Sequence, residues 1–149
     1  MRFHALPAAL ALFVLASSSA FAQAQYALSL DPVAYDNSMR EVVRGEGRIT
    51  ATLNGNTLNL RGSFSGLTSP ATKVQLGVGL GFAIPAAEFF TSLTPANATA
   101  GTVTGTVTLS PAQVAALNDN RLFLRLDTVR GTDGSLWGWF ERLPAGRGR

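Results

Sequence analysis

The 149-residue sequence contains no cysteine and a single histidine, His4. The absence of cysteine excludes disulfides, thiol nucleophiles and zinc sites built on thiolates. Because His4 lies inside a predicted export signal, the exported chain is predicted to contain no histidine either. That loss excludes catalytic triads that need an imidazole, and copper sites as well. We therefore predict no cofactor and no metal site of the cysteine or histidine type.

Charged side chains are also scarce, at 14% of the residues, and Lys73 is the only lysine. Without Arg2, which belongs to the predicted signal, eleven basic residues stand against nine acidic ones, a net charge of +2. No dense basic stripe of the kind that follows a phosphate backbone is present. The charge pattern therefore predicts that nucleic acid is not a partner.

The first 24 residues have the three zones of a secretory signal peptide: a basic start, an apolar run over 8–16 and an exit of small residues. Cleavage is predicted after Ala22 or Ala24, since both follow a small-x-small pattern. The nine residues of this apolar run are fewer than the roughly 20 that a membrane anchor requires. We expect an exported protein, periplasmic or extracellular, with no membrane span after signal removal, a domain over 25–144 and a basic tail over 145–149.

Apolar and polar residues alternate with period two in most of the remaining chain, which is typical of half-buried β-strands. The segment 47–53 alternates, Asn54-Gly-Asn56 predicts a tight hairpin turn, and 57–64 alternates again. Further strands are predicted over the following segments: 73–78, 88–93, 101–109, 122–127 and 136–143. The glycine-rich, proline-ended segment 79–85 predicts a loop or bulged connection.

One short helix interrupts the strands near 110–118. Ser110 is a favourable N-cap, Pro111 suits the first helical position, and Gln113 completes a capping box. Seven or eight short strands with a single connector helix predict an all-β, antiparallel sandwich or barrel. A parallel α/β sheet is disfavoured because its long crossover helices are missing.

Four motifs follow one another along the chain: Gly66-Leu-Thr-Ser-Pro-Ala-Thr72, Thr108-Leu-Ser-Pro-Ala-Gln113, Leu122-Phe-Leu-Arg-Leu-Asp-Thr128 and Gly134-Ser-Leu-Trp-Gly-Trp-Phe140. In type and order they resemble the CHRD domain, the chordin-type module of secreted proteins, over about residues 26 to 143. The resemblance implies an immunoglobulin-like or superoxide-dismutase-like β-sandwich.

The chain departs from the CHRD pattern at its polar positions. The histidines of the family fall on Gln75, Gly77 and Asp127, and the Glu and Arg of its last strand fall on Ser135 and Trp137. A metal or a titrating imidazole of that family therefore has no counterpart here. The chain is identified as a divergent member without the family histidines.

The alternation assigns a set of polar and aromatic residues to the outward face of three strands, which the resemblance places in one sheet. Exposed aromatics beside charges are typical of recognition surfaces, so we predict a binding patch there. The competing interpretation is that neighbouring strands, or the loop over 79–87, cover the tryptophans. The predicted patch consists of Lys73, Gln75, Phe123, Arg125, Asp127, Trp137 and Trp139.

Two other chemistries remain open from the residues alone. Asp127 and Glu141 could lie on adjacent strands and act as acid and base in a hydrolase, although neighbouring arginines favour surface ion pairs. Asp127 with Asp133, or Asn118-Asp-Asn120, offers oxygen ligands for calcium, without the twelve-residue calcium-loop pattern.

These features favour an exported, non-enzymatic binding module whose partner is a protein or a surface polymer. A carboxylate-dependent hydrolase and a purely structural envelope protein are the alternatives. The sequence predicts neither the identity of the partner nor the oligomeric state.

Overall fold

Nine β-strands, one α-helix and one short 3-10 helix form the structure, for which the computed structural model describes residues 23–33, 38–86 and 88–145. The strands are β1 (Ala24–Pro32), β2 (Glu46–Asn54), β3 (Thr57–Ser65), β4 (Ala71–Val78), β5 (Phe89–Leu93), β6 (Gly101–Thr108), β7 (Leu122–Thr128), β8 (Leu136–Trp139) and β9 (Glu141–Arg142). The helix α1 spans Pro111–Asn118, and the 3-10 turn spans Met39–Glu41.

The strands form one antiparallel sheet in the order β5-β4-β7-β8-β1-β2-β3-β6, with β9 paired to β1 beside this path. The two end strands, β5 and β6, come together where Leu93 packs against Gly105. A Cβ atom on Gly105 would lie 2.8 Å from both δ carbons of Leu93, so a larger residue at position 105 would require the Leu93 side chain to shift. The sheet is therefore curved into a nearly closed barrel, and the predicted all-β, antiparallel class is confirmed.

The inward residues of the alternating strands fill the interior. Tyr26, Ile49, Leu58 and Leu124 are fully buried, as is Phe140 at the junction of β8 and β9. Burial of each large apolar side chain contributes about 1.5–3 kcal/mol to folding, before conformational entropy is subtracted. This interior cluster consists of apolar side chains, and the buried polar side chains Asp127, Thr128 and Ser135 lie outside it.

The hairpin predicted at Asn54-Gly-Asn56 joins β2 to β3. Asn54 pairs with Thr57, which leaves Gly55 and Asn56 as a two-residue loop. Gly55 has a φ of 62°, the left-handed conformation that a tight hairpin turn needs at this position and that glycine adopts without strain. The prediction of this hairpin is confirmed.

The capping box predicted for the helix is also present. The Gln113 backbone N–H donates to Ser110 Oγ at 3.2 Å, and the Ser110 N–H donates to Gln113 Oε1 at 2.8 Å. Two backbone donors at the start of α1 are thereby satisfied. Leu117 is buried and Val114 is half-buried, so this side of the helix faces the core.

The first strand was not predicted as such. The export signal over 1–24 lies, apart from its last two residues, outside the described residues, as do Ala22 and the tail from residue 146 onward. Ala24, the second predicted cleavage position, is the first residue of β1 and pairs with Leu53. Cleavage after Ala22 would leave β1 whole, and cleavage after Ala24 would remove only its first residue.

Candidate functional site

The seven residues of the predicted patch lie on three neighbouring strands, β4, β7 and β8. The pairing registers align them across the sheet, because β4 and β8 flank β7 on its two sides. Three cross-strand rows result: Lys73 with Asp127, Gln75 with Arg125 and Trp137, and Gly77 with Phe123 and Trp139.

The aromatic members of the patch form a stacked cluster. The Phe123 ring centroid lies 5.5 Å from that of Trp137, with the rings nearly parallel at 15°, and 4.9 Å from that of Trp139. Phe123 is fully buried, Trp137 is 9% exposed and Trp139 is half-buried. Most of the aromatic area is therefore already in contact with protein.

Two neighbouring segments cover the cluster. From β5, the Phe89 ring meets Phe123 edge-on at 5.6 Å between centroids. From the loop after β4, Phe82 packs 6.1 Å from Trp139. The two competing interpretations of the sequence therefore both hold in part. The aromatic residues share the outer face of the sheet, and β5 and the loop after β4 cover much of their surface.

Gly77 makes room for this cluster. A Cβ atom there would lie 2.6 Å from Phe123 Cζ and 2.9 Å from the Glu88 carbonyl oxygen. Gly77 is one of the positions where the CHRD pattern has histidine. No side chain larger than that of glycine fits at this position while Phe123 keeps its place.

Arg125 connects the aromatic cluster to the polar end of the patch. Its Nη2 donates to Gln75 Oε1 at 2.9 Å and to Asp127 Oδ2 at 3.1 Å. Its Nε lies 2.8 Å from Asp127 Oδ1 in an ion pair that lacks hydrogen-bond geometry. The guanidinium carbon sits 4.4 Å from the centroid of the Phe89 ring and 5.6 Å from that of Trp137. Arg125 is therefore held by an ion pair, a hydrogen bond and cation–π contacts at once.

Asp127 is buried, and burial raises the pKa of its carboxyl above the ordinary value. The hydrogen bond and charge of Arg125 and the charge of Lys73 lower the pKa, while the charge of Asp133 raises it. Burial is the largest of these effects because desolvation penalises the carboxylate form. Arg125 and Asp127 thus form a partly desolvated ion pair rather than a surface one.

An open groove of about 560 Å³ lies against this ion pair. Phe89, Arg125 and Trp137 form one part of its lining, and Met39, Pro85, Ala86 and Asp133 form the rest. The indole Nε1 of Trp137 is buried without a hydrogen-bond partner among the described residues. Gly134 lies directly beside it with a φ of 106°, and a Cβ atom there would overlap Trp137 Nε1.

Sequence reasoning missed Phe89 and Met39, which line the groove. Phe89 and Phe90 are adjacent in β5, and alternation alone does not tell which of two neighbouring phenylalanines faces the core. Phe90 packs against the core, which leaves Phe89 on the outer face with Arg125. Met39 belongs to a 3-10 turn with no periodic pattern, so no sequence signal points to it.

The carboxylates that could have served a hydrolase are far apart. Asp127 lies opposite Lys73, whereas Glu141 follows Phe140, whose N–H donates to Leu122 O near the other end of β7. Five residues of strand separate Leu122 from Asp127, about 17 Å. Within the described ranges no group of three or more acidic, histidine or cysteine side chains could hold a metal ion. Asp127 and Glu141 therefore do not form an acid–base pair.

Comparison of the chain with protein-family models, with curated proteins and with solved structures finds no match. Over residues 23–33, 38–86 and 88–145, no helix has the length and hydrophobicity to cross a membrane.

Proposed function

We propose that this chain is an exported, non-enzymatic binding module that holds a segment of a protein or of a surface polymer in the groove beside Arg125. The nearly closed sheet would then be a divergent CHRD-type sandwich, immunoglobulin-like or superoxide-dismutase-like, whose histidine positions have been taken over by aromatic packing. A periplasmic or extracellular location follows from the predicted signal peptide.

The observation that carries this proposal is the composition of the groove. Phe89 and Trp137 offer aromatic surface, and Arg125 offers a cation already fixed by Asp127 and Gln75. A preorganised side chain loses little entropy when a ligand binds, so its contacts contribute more to affinity. Such a site suits a ligand that presents a flat apolar surface together with an acceptor or anionic group.

Binding is favoured over hydrolysis by the state of Asp127. Its carboxyl is buried and bonded to Arg125, and Glu141 lies on a different strand at the other end of β7. Neither group is placed to act with the other on one bond. Catalysis by these carboxylates would require a rearrangement of the sheet.

The test compares two matched substitutions in β5. Phe89→Ala removes the ring that lies against Arg125, whereas Phe90→Ala removes an identical ring that packs on the core side. The exported protein is immobilised and exposed to solubilised envelope proteins and to wall polymers of the producing organism, and the captured material is quantified. We expect Phe89→Ala to reduce capture at least about tenfold, the loss of roughly 1.4 kcal/mol of binding free energy.

Phe90→Ala is expected to lower the melting temperature and to leave capture unchanged. Equal capture by wild type and Phe89→Ala would refute the groove as the binding site. Turnover of glycosidic or ester substrates that Asp127→Asn abolishes would favour the hydrolase instead.

A further inference from the structure

The loop that follows β4 ends in three large apolar side chains that the protein leaves in water. Leu80 is 79% exposed, Phe82 54% and Ile84 55%. We call residues 80–84 the apolar tip. Each such side chain loses about 1.5–3 kcal/mol by remaining hydrated instead of buried, so three together in five residues mark an interaction surface.

Hydrogen bonds give the apolar tip a fixed shape. The Leu80 N–H donates to Ile84 O at 3.0 Å, and the Ile84 N–H donates to Gly81 O at 3.2 Å. Ala83 closes the turn with a φ of 60°. The tip is therefore a short turn closed by two backbone hydrogen bonds. Unpaired backbone groups are costly in an apolar medium, so this pairing makes insertion of the turn less unfavourable.

The base of the loop is held to β7 and β8. The Gly79 N–H donates to Arg121 O at 2.7 Å, and Arg121 Nη1 donates back to Gly79 O at 3.5 Å. Trp139, half-buried, packs below Phe82. An indole and a guanidinium thus lie just behind the apolar side chains, which is the arrangement found at the level of lipid headgroups.

The charge pattern identifies the kind of partner. No residue from 74 to 87 is charged, so the tip offers nothing for an ion pair with a protein surface. At its base, Arg121 is paired with Asp119 at 3.7 Å, and Glu88 follows in sequence, so the base is not a cationic patch that would need anionic lipid. Apolar insertion into a bilayer interface requires neither ion pairs nor a partner-specific pocket.

We propose that the apolar tip docks the exported protein on a lipid bilayer by inserting Leu80, Phe82 and Ile84 at the interface. Three such side chains give marginal, reversible attachment, comparable to a single acyl chain, with a partition coefficient of about 10⁴ M⁻¹. Because the attraction is apolar, it depends little on lipid charge or salt. This docking does not depend on the proposed use of the groove.

The test uses the processed, exported protein and vesicles of phosphatidylcholine, alone or with one-fifth phosphatidylglycerol, in a sedimentation assay. The double variant Leu80→Ser with Ile84→Ser is expected to lower the partition coefficient at least about tenfold. The matched control is Val129→Ser with Leu143→Ser, which changes two apolar residues that are 57% and 38% exposed elsewhere on the protein. The control is expected to bind within about twofold of wild type.

Binding to both vesicle types that persists in high salt, accompanied by a blue shift of tryptophan emission, supports insertion of the tip. Equal binding by wild type and the tip variant, or no binding by wild type at millimolar lipid, overturns the proposal. Self-association of the wild type without lipid, lost in the tip variant, also overturns it, because the tip would then be the contact between two copies. Thermal melting of each variant checks that the fold is retained.

Discussion

At the scale of single residues, Arg125 serves both the fold and the candidate site. Its planar guanidinium bonds Asp127 and Gln75 in one direction and covers the Phe89 ring in another. A lysine could supply the positive charge, but it has neither the several N–H donors in one plane nor the flat surface of a guanidinium. Since Asp127 is buried, the loss of Arg125 would leave its carboxylate without its main partner. The stability of the fold therefore depends strongly on this pair.

The raised pKa of Asp127 has a defined effect on stability. Between its ordinary value of 3.8 and the raised value in the folded state, the folded protein holds a proton that the unfolded chain has released. The contribution of Asp127 to the free energy of unfolding is therefore greatest below pH 3.8, decreases as the pH rises through this window, and is constant above it.

Asp127→Asn removes this titration, so the stability of wild type relative to the variant is expected to fall as the pH rises from 3 to 7. Urea unfolding at several pH values measures the difference. The control is Asp119→Asn, which removes an exposed carboxylate and so shows how the loss of a surface charge alone changes the free energy of unfolding. A difference that grows with pH would mean that the pairing with Arg125 outweighs burial.

At the scale of the elements, the sequence predicts strands well wherever one face meets the core and the other meets water. The hairpin at Gly55 and the capping box at Ser110 add local backbone chemistry, and both are as predicted. The grouping of Lys73, Gln75 and Arg125 on one face also follows from period two.

Features that depend on tertiary partners could not be predicted. Residues 136–143 alternate as one strand, yet the structure divides them at Phe140: β8 pairs with both β7 and β1, whereas β9 pairs with β1 alone. The loss of one partner strand leaves no mark in the alternation. Tyr26 and Leu28 alternate correctly in β1, but this pattern runs directly on from the predicted signal. The cover over the aromatic cluster comes from Phe89, which meets Phe123, and from Phe82, which meets Trp139, and both lie far from these partners in sequence.

Gly62 provides a test of strand packing. It occupies an inward position of β3 where a Cβ atom would overlap the Arg48 carbonyl oxygen and lie 2.5 Å from Ile49 Cδ1. Gly62→Ala is expected to destabilise the protein by about 1–3 kcal/mol, because the backbone of β2 cannot move away without breaking its ladder. Gly81→Ala, at a site where the nearest atom would lie 3.4 Å away, is the control. Equal urea midpoints for the two variants would contradict this account.

At the scale of the whole molecule, β1 joins the two halves of the sheet. It pairs with β2 on one side and with β8 and β9 on the other. The candidate site lies on one side of β1 in the sheet, on β4, β5, β7 and β8, and the strands β2, β3 and β6 lie on the other. Without β1, no backbone hydrogen bonds would join these two groups of strands along the sheet. The first described strand therefore maintains the site without contributing a residue to the groove.

A truncated chain that begins at Val33 is expected to lose cooperative unfolding, since the removal of β1 exposes the edges of β2 and β8 together. Thermal melting followed by circular dichroism measures this. A chain that begins at Gln25 keeps all of β1 except Ala24 and is expected to melt as a single cooperative unit. If both chains melt cooperatively at the same temperature, the pairing of β1 is not what unites the sheet.

The place of β1 in the sheet also sets an order of events during synthesis. Emerging N-terminus first, β1 can meet β2 and β3 early, but β8 and β9 are made more than one hundred residues later. Contacts between such distant segments carry a large loop-closure cost and slow the folding of β proteins. The chain consequently completes its sheet only after its last strands have appeared, so the first strand waits with one edge unpaired until synthesis is nearly finished.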